Sequence, residues 1–131
     1  VRLQAALISG TIPLTMRIGT MPKQGEIVLI PVPFTDLSST KRRPVIIISN
    51  DDYHQTTVDM VVVAMTSNPT ISSYSFTITT ADLTLGSLNR PGTVRVDKIY
   101  TLAQSLIVRT FGQVDERTLG RIRVLLGNLT A

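Results

Sequence analysis

The chain has no cysteine and no tryptophan, a single histidine, His54, and only three phenylalanines and three tyrosines in 131 residues. Without cysteine there is no disulfide scaffold, no thiolate nucleophile and no Cys-based metal centre, and the composition suits a reducing compartment, the cytoplasm. One histidine among scattered carboxylates does not make a zinc site, so neither a metal nor another cofactor is expected. Acidic residues are also scarce. Thirteen Lys and Arg against nine Asp and Glu leave a formal charge of +4, which favours anionic partners such as nucleic acid. No apolar run approaches the ~18 residues that would span a bilayer, so no membrane partner is expected.

The length suits one domain that can bury a real core without staples. Residues Val1 to Thr20 stand apart: two arginines, no acid, and Gly10, Pro13 and Gly19 breaking any period. Gln4 and Ser9 interrupt the stretch that follows Arg2, so it makes a poor signal peptide. It reads as an N-terminal extension, disordered or foreign to the native product. Met16 and Met21 are alternative starts, and the folded domain is expected over residues 21–131.

From Gln24 the pattern becomes orderly. Glu26 to Val32 is an apolar extended run, and Pro31 and Pro33 confine it to an edge or a bend. A polar loop, Thr35 to Arg42, separates it from a strand over Arg43 to Asn50. Asp51 to Thr57 is a turn or one short helical segment, and Met60 to Met65 is a third strand. Tyr74 to Thr79 alternates strictly, as a half-exposed strand does. Strands are also expected over Thr93 to Asp97 and Leu106 to Val114. Asp115 is a good N-cap for a helix in which Leu119, Ile122, Leu125 and Leu126 recur at helical spacing, with Gly127 as its end and Arg117, Arg121 and Arg123 on its wetter side. Five or six short strands and one terminal helix predict a mainly β fold, a small barrel-like sheet with a helix packed on it.

Two polar groups of residues lie against the β-branched runs: Lys41-Arg42-Arg43-Pro44 before Val45 to Ile48, and Arg95-Val96-Asp97. An arginine at the mouth of a buried strand, or a carboxylate within one, needs a partner or a task. Arg95 and Asp97 are two apart, so both project from one face while Val94 and Val96 turn to the other.

Five ordered blocks resemble the MazF/PemK/Kid toxin family: Gln24-Gly25-Glu26-Ile27-Val28; Pro33-Phe34-Thr35-Asp36-Leu37; Lys41 through Asn50; Ala64-Met65-Thr66-Ser67; and Val94 through Leu102. The resemblance covers the chain from about Met21 onward. It implies a small SH3-like barrel of the CcdB/MazF/Kid type, a homodimer, and a toxin endoribonuclease that cuts single-stranded RNA without a metal, leaving a 2′,3′-cyclic phosphate and a 5′-hydroxyl. It also implies a cognate antitoxin as partner, with an acidic flexible segment lying over the groove formed by Arg43, Arg95 and the Asp36 to Arg42 loop.

Carried over residue by residue, the resemblance makes Arg43, Thr66, Arg95 and Asp97 the catalytic set, and Arg42, Lys41, Ser67, Thr35 and Phe34 the RNA-binding one. Arg43 offers a planar, permanently charged fork suited to a phosphate, although an arginine at a strand start commonly closes a surface ion pair. Thr66 and Ser67 could donate to a phosphate oxygen or merely finish a strand. Asp97 is the natural general base if burial raises its pKa toward neutrality; the rival reading is an intrastrand salt bridge with Arg95. Both arginines suit stabilisation of charge better than proton donation, since a guanidinium holds its proton too firmly. His54 lies away from every block and reads as a packing or surface residue. Some relatives place a histidine in the first loop and this chain does not, so the acid step has no assigned residue. The alternatives are a CcdB-like gyrase poison, disfavoured by the missing tryptophan, and a catalytically idle RNA-binding protein of the same fold.

Overall fold

The computed structural model describes residues 21–32, 41–69 and 72–131. The expectations placed on Val1 to Thr20, on Phe34 and Thr35, and on most of the Thr35 to Arg42 loop lie outside the described residues.

The chain forms β1 (Glu26–Val32), β2 (Lys41–Ile47), α1 (Asp51–Thr56), β3 (Asp59–Thr66), β4 (Ser75–Ile78), β5 (Leu83–Gly86), β6 (Gly92–Ala103), β7 (Arg109–Val114) and α2 (Glu116–Thr130). The seven strands make one antiparallel sheet in the order β4-β6-β3-β2-β1-β7-β5. The mainly β architecture with a C-terminal helix is the predicted one, with four differences in detail. β5 was not expected. β6 runs to Ala103, well past Asp97. A 3-10 turn occupies Gln104–Leu106, so β7 begins at Arg109. Finally, α2 continues through Gly127 to Thr130. Space is open around the missing Gly127 side chain, and one glycine costs a helix only about 1 kcal/mol.

β1 is an interior strand, flanked by β2 and β7, so of the two placements its prolines suggested, an edge or a bend, the edge is excluded. β7 pairs with β1 only from Glu26 to Leu29, so Pro31 lies beyond that ladder and its missing N–H breaks no bond there. Pro44 is placed in the same way. β2 pairs with β3 only from Val45 to Ile47, leaving the Lys41 to Pro44 half of the strand splayed from β3.

The β-branched runs bury both faces of the sheet. One face packs Ile27, Ile46, Val63, Phe76, Val94 and Val96 against Leu119 and Ile122 of α2. The other holds Val28, Ile30, Val45, Ile47, Met60 and Val62, with Tyr100 and Leu102 beside them. Each fully buried Val, Ile or Leu contributes about 1.5–3 kcal/mol, so these clusters dominate the fold's stability. Asp115 caps α2 as expected, its Oδ1 accepting from the Thr118 amide at 2.8 Å. At the sheet's far edge Gly86 adopts φ +83°, and a Cβ there would lie 2.2 Å from the Phe111 carbonyl oxygen; only glycine fits.

His54 is a packing residue. Its Nδ1–H donates to the Pro22 carbonyl at 3.0 Å and its Nε2 lies 2.6 Å from Ser49 Oγ. That hydroxyl also accepts from the Val61 amide. A carbonyl can only accept, so Nδ1 carries the proton and the neutral ring leaves Nε2 to accept from Ser49. Burial holds the ring's pKa below the ordinary histidine value. A histidine of the unfolded chain titrates near ~6.5, so this stabilisation is complete above that pH and is lost as the pH falls through the lower folded value. Urea midpoints should therefore decline between pH 7 and pH 5, before the depressed carboxylates Asp97 and Asp115 begin to protonate. His54→Ala should cost about 2–4 kcal/mol and abolish the decline in that window. A midpoint equally pH-dependent in the variant would show that another group is responsible.

Candidate nucleic-acid-cleaving groove

The buried face of β2, β3 and β6 changes character partway along each strand. β2 goes from Ile47 and Val45 to Arg43, and β3 from Met60 and Val62 to Ala64 and Thr66. The pairings Val45↔Ala64↔Arg95↔Ser75 and Thr66↔Thr93↔Thr77 keep these residues on one face. The apolar half therefore gives way to a polar half across four adjacent strands.

β6 makes the change with a bulge. Val63 pairs with Ile99, but Ala64 pairs with Arg95, leaving Val96, Asp97 and Lys98 without partners on β3. The bulge bends the strand and re-aims its side chains. Together with the splay of β2, it opens a groove of about 340 Å³ lined by Arg43, Thr66, Asn68, Arg95, Lys98 and Tyr100, with Ile30, Pro44, Val45, Ala64 and Met65 as apolar walls.

The structure thus brings Arg43, Thr66 and Arg95 into one concavity. Arg95 and Asp97 form a two-pronged ion pair, Nε to Oδ1 and Nη2 to Oδ2, both 3.0 Å. Val94 and Val96 are fully buried on the opposite face, as the spacing of two required. The pair corrects one expectation. Asp97 was to be lifted toward neutrality by burial, yet its side chain is about a third exposed (32%), and the guanidinium hydrogen bonds hold its carboxyl below the ordinary aspartate range. The same contact makes Arg95 hold its proton still more firmly. In the free protein Asp97 is an ionised, already partnered carboxylate, and Arg95's charge is largely spent on it.

Arg43 is exposed at the splayed end of β2, opposite Ile30 of β1, and makes no ion pair among the described residues. The surface-salt-bridge alternative therefore does not apply within them. Thr66 finishes its strand, one of the two readings weighed for it. Its Oγ1 accepts from the Asn68 amide at 3.2 Å, which finishes the strand and orients the hydroxyl while leaving its proton free to donate. Lys41, Arg42 and Ser67 are exposed next to the groove but do not line it. Asn68, Lys98 and Tyr100 line it and were not anticipated: the signal for Lys98 and Tyr100 was the break in alternation after Asp97, which marks the bulge.

The groove can hold a phosphodiester. Arg43, Lys98 and, after exchange of its partner, Arg95 offer positive charge to non-bridging oxygens, and Thr66 offers a hydroxyl donor. The apolar walls of Ile30, Pro44 and Val45 suit an unstacked base or a ribose face.

Solved structures similar to this chain share its fold. An endoribonuclease from a mycobacterial species matches with a TM-score of 0.65 at 21% identity, over 82% of this chain and 89% of that one. A chain of the MazE–MazF complex of Deinococcus radiodurans matches with a TM-score of 0.66 at 23% identity, over 85% and 96%. A mycobacterial endoribonuclease in complex with its cognate antitoxin matches with a TM-score of 0.64 at 20% identity, over 82% and 92%. No curated protein gives a significant sequence match. The sequence model of one family matches residues 23–129, nearly the whole chain and every block that forms the groove, and by that match the chain belongs to the PemK-like, MazF-like toxins of type II toxin–antitoxin systems.

Proposed function

We propose that this toxin is an endoribonuclease that cleaves single-stranded RNA by transesterification without a metal ion. A ribose 2′-hydroxyl attacks the adjacent phosphorus, the bond to the 5′-oxygen breaks, and the products carry a 2′,3′-cyclic phosphate and a 5′-hydroxyl. The observation that carries this reading is the convergence of Arg43, Thr66 and Arg95 on one groove, with Asp97 held against Arg95 at its rim.

The ion pair suggests how the parts work in sequence. An RNA phosphate competes with Asp97 for the Arg95 fork. As the fork turns to the phosphate, the carboxylate loses the contact that depressed its pKa and becomes a better acceptor for the 2′-hydroxyl proton. Arg43 and Arg95 then hold the charge that develops on the phosphorane, and Thr66 donates to one of its oxygens.

Two of the matched structures are complexes, one with a cognate antitoxin and one of MazE with MazF, which supports a cognate antitoxin as partner. Carboxylates of a flexible segment would meet the same cations that accept phosphate. A homodimer is proposed as well, since Leu85, Val108 and Val124 are exposed apolar side chains; a monomer in light scattering at micromolar concentration would contradict it. The activity is tested by incubating purified protein with single-stranded RNA in EDTA and analysing fragment ends by mass spectrometry. Cyclic phosphate ends are expected, and cognate antitoxin should suppress them in competition with RNA. Retarded but intact RNA would instead mark a binding protein.

A further inference from the structure

The proposed reaction needs a proton for its departing 5′-oxygen, and His54 cannot supply it. That ring is buried and committed to Pro22 and Ser49, and it does not line the groove. The two groove arginines are poor donors because a guanidinium gives up its proton only above about pH 12. Lys98 remains. It sits in the three-residue bulge of β6, next to Asp97, and lines the groove with Arg43 and Arg95. It makes no ion pair among the described residues, whereas Arg95's charge is occupied by Asp97.

We infer that Lys98 donates the proton to the leaving 5′-oxygen, a role that rests on the RNA-cleaving reading of this groove. An ammonium group is a compact charge on a flexible stem, with three donors that can follow the oxygen as its bond to phosphorus lengthens. It loses a proton more readily than a guanidinium by roughly two to three units in ordinary surroundings. Tyr100 lines the same groove, but its hydroxyl brings no positive charge to the phosphate before transfer. In the step itself, the 2′-oxygen bonds to phosphorus and its proton passes to the Asp97 carboxylate. The bond between phosphorus and the 5′-oxygen breaks, its electron pair stays on that oxygen, and the oxygen takes a proton from Lys98 Nζ. Lys98 is left neutral and Asp97 protonated, and exchange with water restores both.

The test compares two RNA oligonucleotides, one native and one with sulfur replacing the bridging 5′-oxygen at the cut site, because a thiolate departs without needing a proton. Lys98→Gln and Lys98→Arg should each slow single-turnover cleavage of the native linkage about 100-fold or more, and slow the sulfur-bridged linkage by no more than about fivefold. Arg43→Ala, which removes charge stabilisation, should slow both. Equal losses on the two substrates, or full activity in Lys98→Arg, would reduce Lys98 to a phosphate-binding charge and overturn the inference, as would full native activity in Lys98→Gln. If Lys98→Gln does not fold, Lys98→Arg carries the comparison alone. Wild-type protein that cuts neither substrate would overturn the nuclease reading itself, a different and separately visible result.

Discussion

Arg43→Ala should reduce RNA cleavage by roughly 10²–10³-fold while leaving the thermal unfolding midpoint within a degree or two of wild type. The two halves of this expectation come from the same place. Arg43 stands at the end of β2 where no ladder joins it to β3, it is exposed, and no carboxylate pairs with it among the described residues. Removing it therefore leaves no buried charge and no cavity. Its fork is the groove guanidinium with no carboxylate partner among the described residues, and a charge already in position strengthens its hold as negative charge gathers on the phosphoryl oxygens. Most of the loss should appear in kcat, with a smaller increase in KM. Steady-state kinetics on a defined oligonucleotide would check this. A loss confined to KM would make Arg43 an RNA-docking residue that contributes nothing special to the transition state.

Asp97→Ala should produce an opposed pair of changes: turnover falling by about 10²–10⁴-fold, and RNA bound more tightly than by wild type. The carboxylate is the proposed base, but in the free protein it also occupies the Arg95 fork at 3.0 Å through both oxygens. Deleting it removes the proton acceptor and at the same time releases a guanidinium to the phosphate. A purely structural ion pair would show neither change to this extent, since exposed pairs contribute ~0–1 kcal/mol. The pH dependence follows from the same contact. Arg95 holds the free-state carboxyl below its ordinary value, and a base works only when ionised. The acid limb of kcat/KM, which reports the free protein, should therefore fall below pH ~4, the usual aspartate value. Unchanged turnover in correctly folded Asp97→Ala would eliminate it as the base and leave Arg43 and Thr66 to carry the site.

Much of this was legible in the sequence because it depends on short-range pattern. β1 follows from the Glu26 to Val32 run, and α2 from Asp115 and its helical apolar spacing. The facing of Arg95 and Asp97 away from Val94 and Val96 follows from alternation alone. What escaped depends on pairing between distant segments. β5 is four residues long, Leu83–Gly86, and is a strand because β7 offers it an edge. The interior place of β1 overrode its prolines because its neighbours pair along complementary stretches. Lys98 joined the groove because β3 skips three residues of β6; the break in alternation after Asp97 marks the place, but the size of the skip is set by pairing with β3. The low pKa of Asp97 was likewise a matter of contact: proximity in sequence allowed the Arg95 pair, but only the geometry shows that it forms in preference to burial.

The bulge in β6 has a bearing on how this protein can change over time. On one side of it the odd-numbered residues, Thr93 and Arg95, share the groove face. On the other side the even-numbered ones, Tyr100 and Leu102, lie with the apolar cluster. The skipped residues thus act like a phase shift between two incompatible reading frames of one strand. Substitutions within Val96 to Lys98 touch single side chains, whereas a deletion there acts on the phase itself: loss of two residues still leaves one that β3 cannot pair, and the two halves stay out of step. Loss of all three skipped residues joins Arg95 directly to Ile99, lets both halves alternate in one frame with Arg95 and Tyr100 on their present faces, and is the path by which a descendant could lose the bulge and keep the fold.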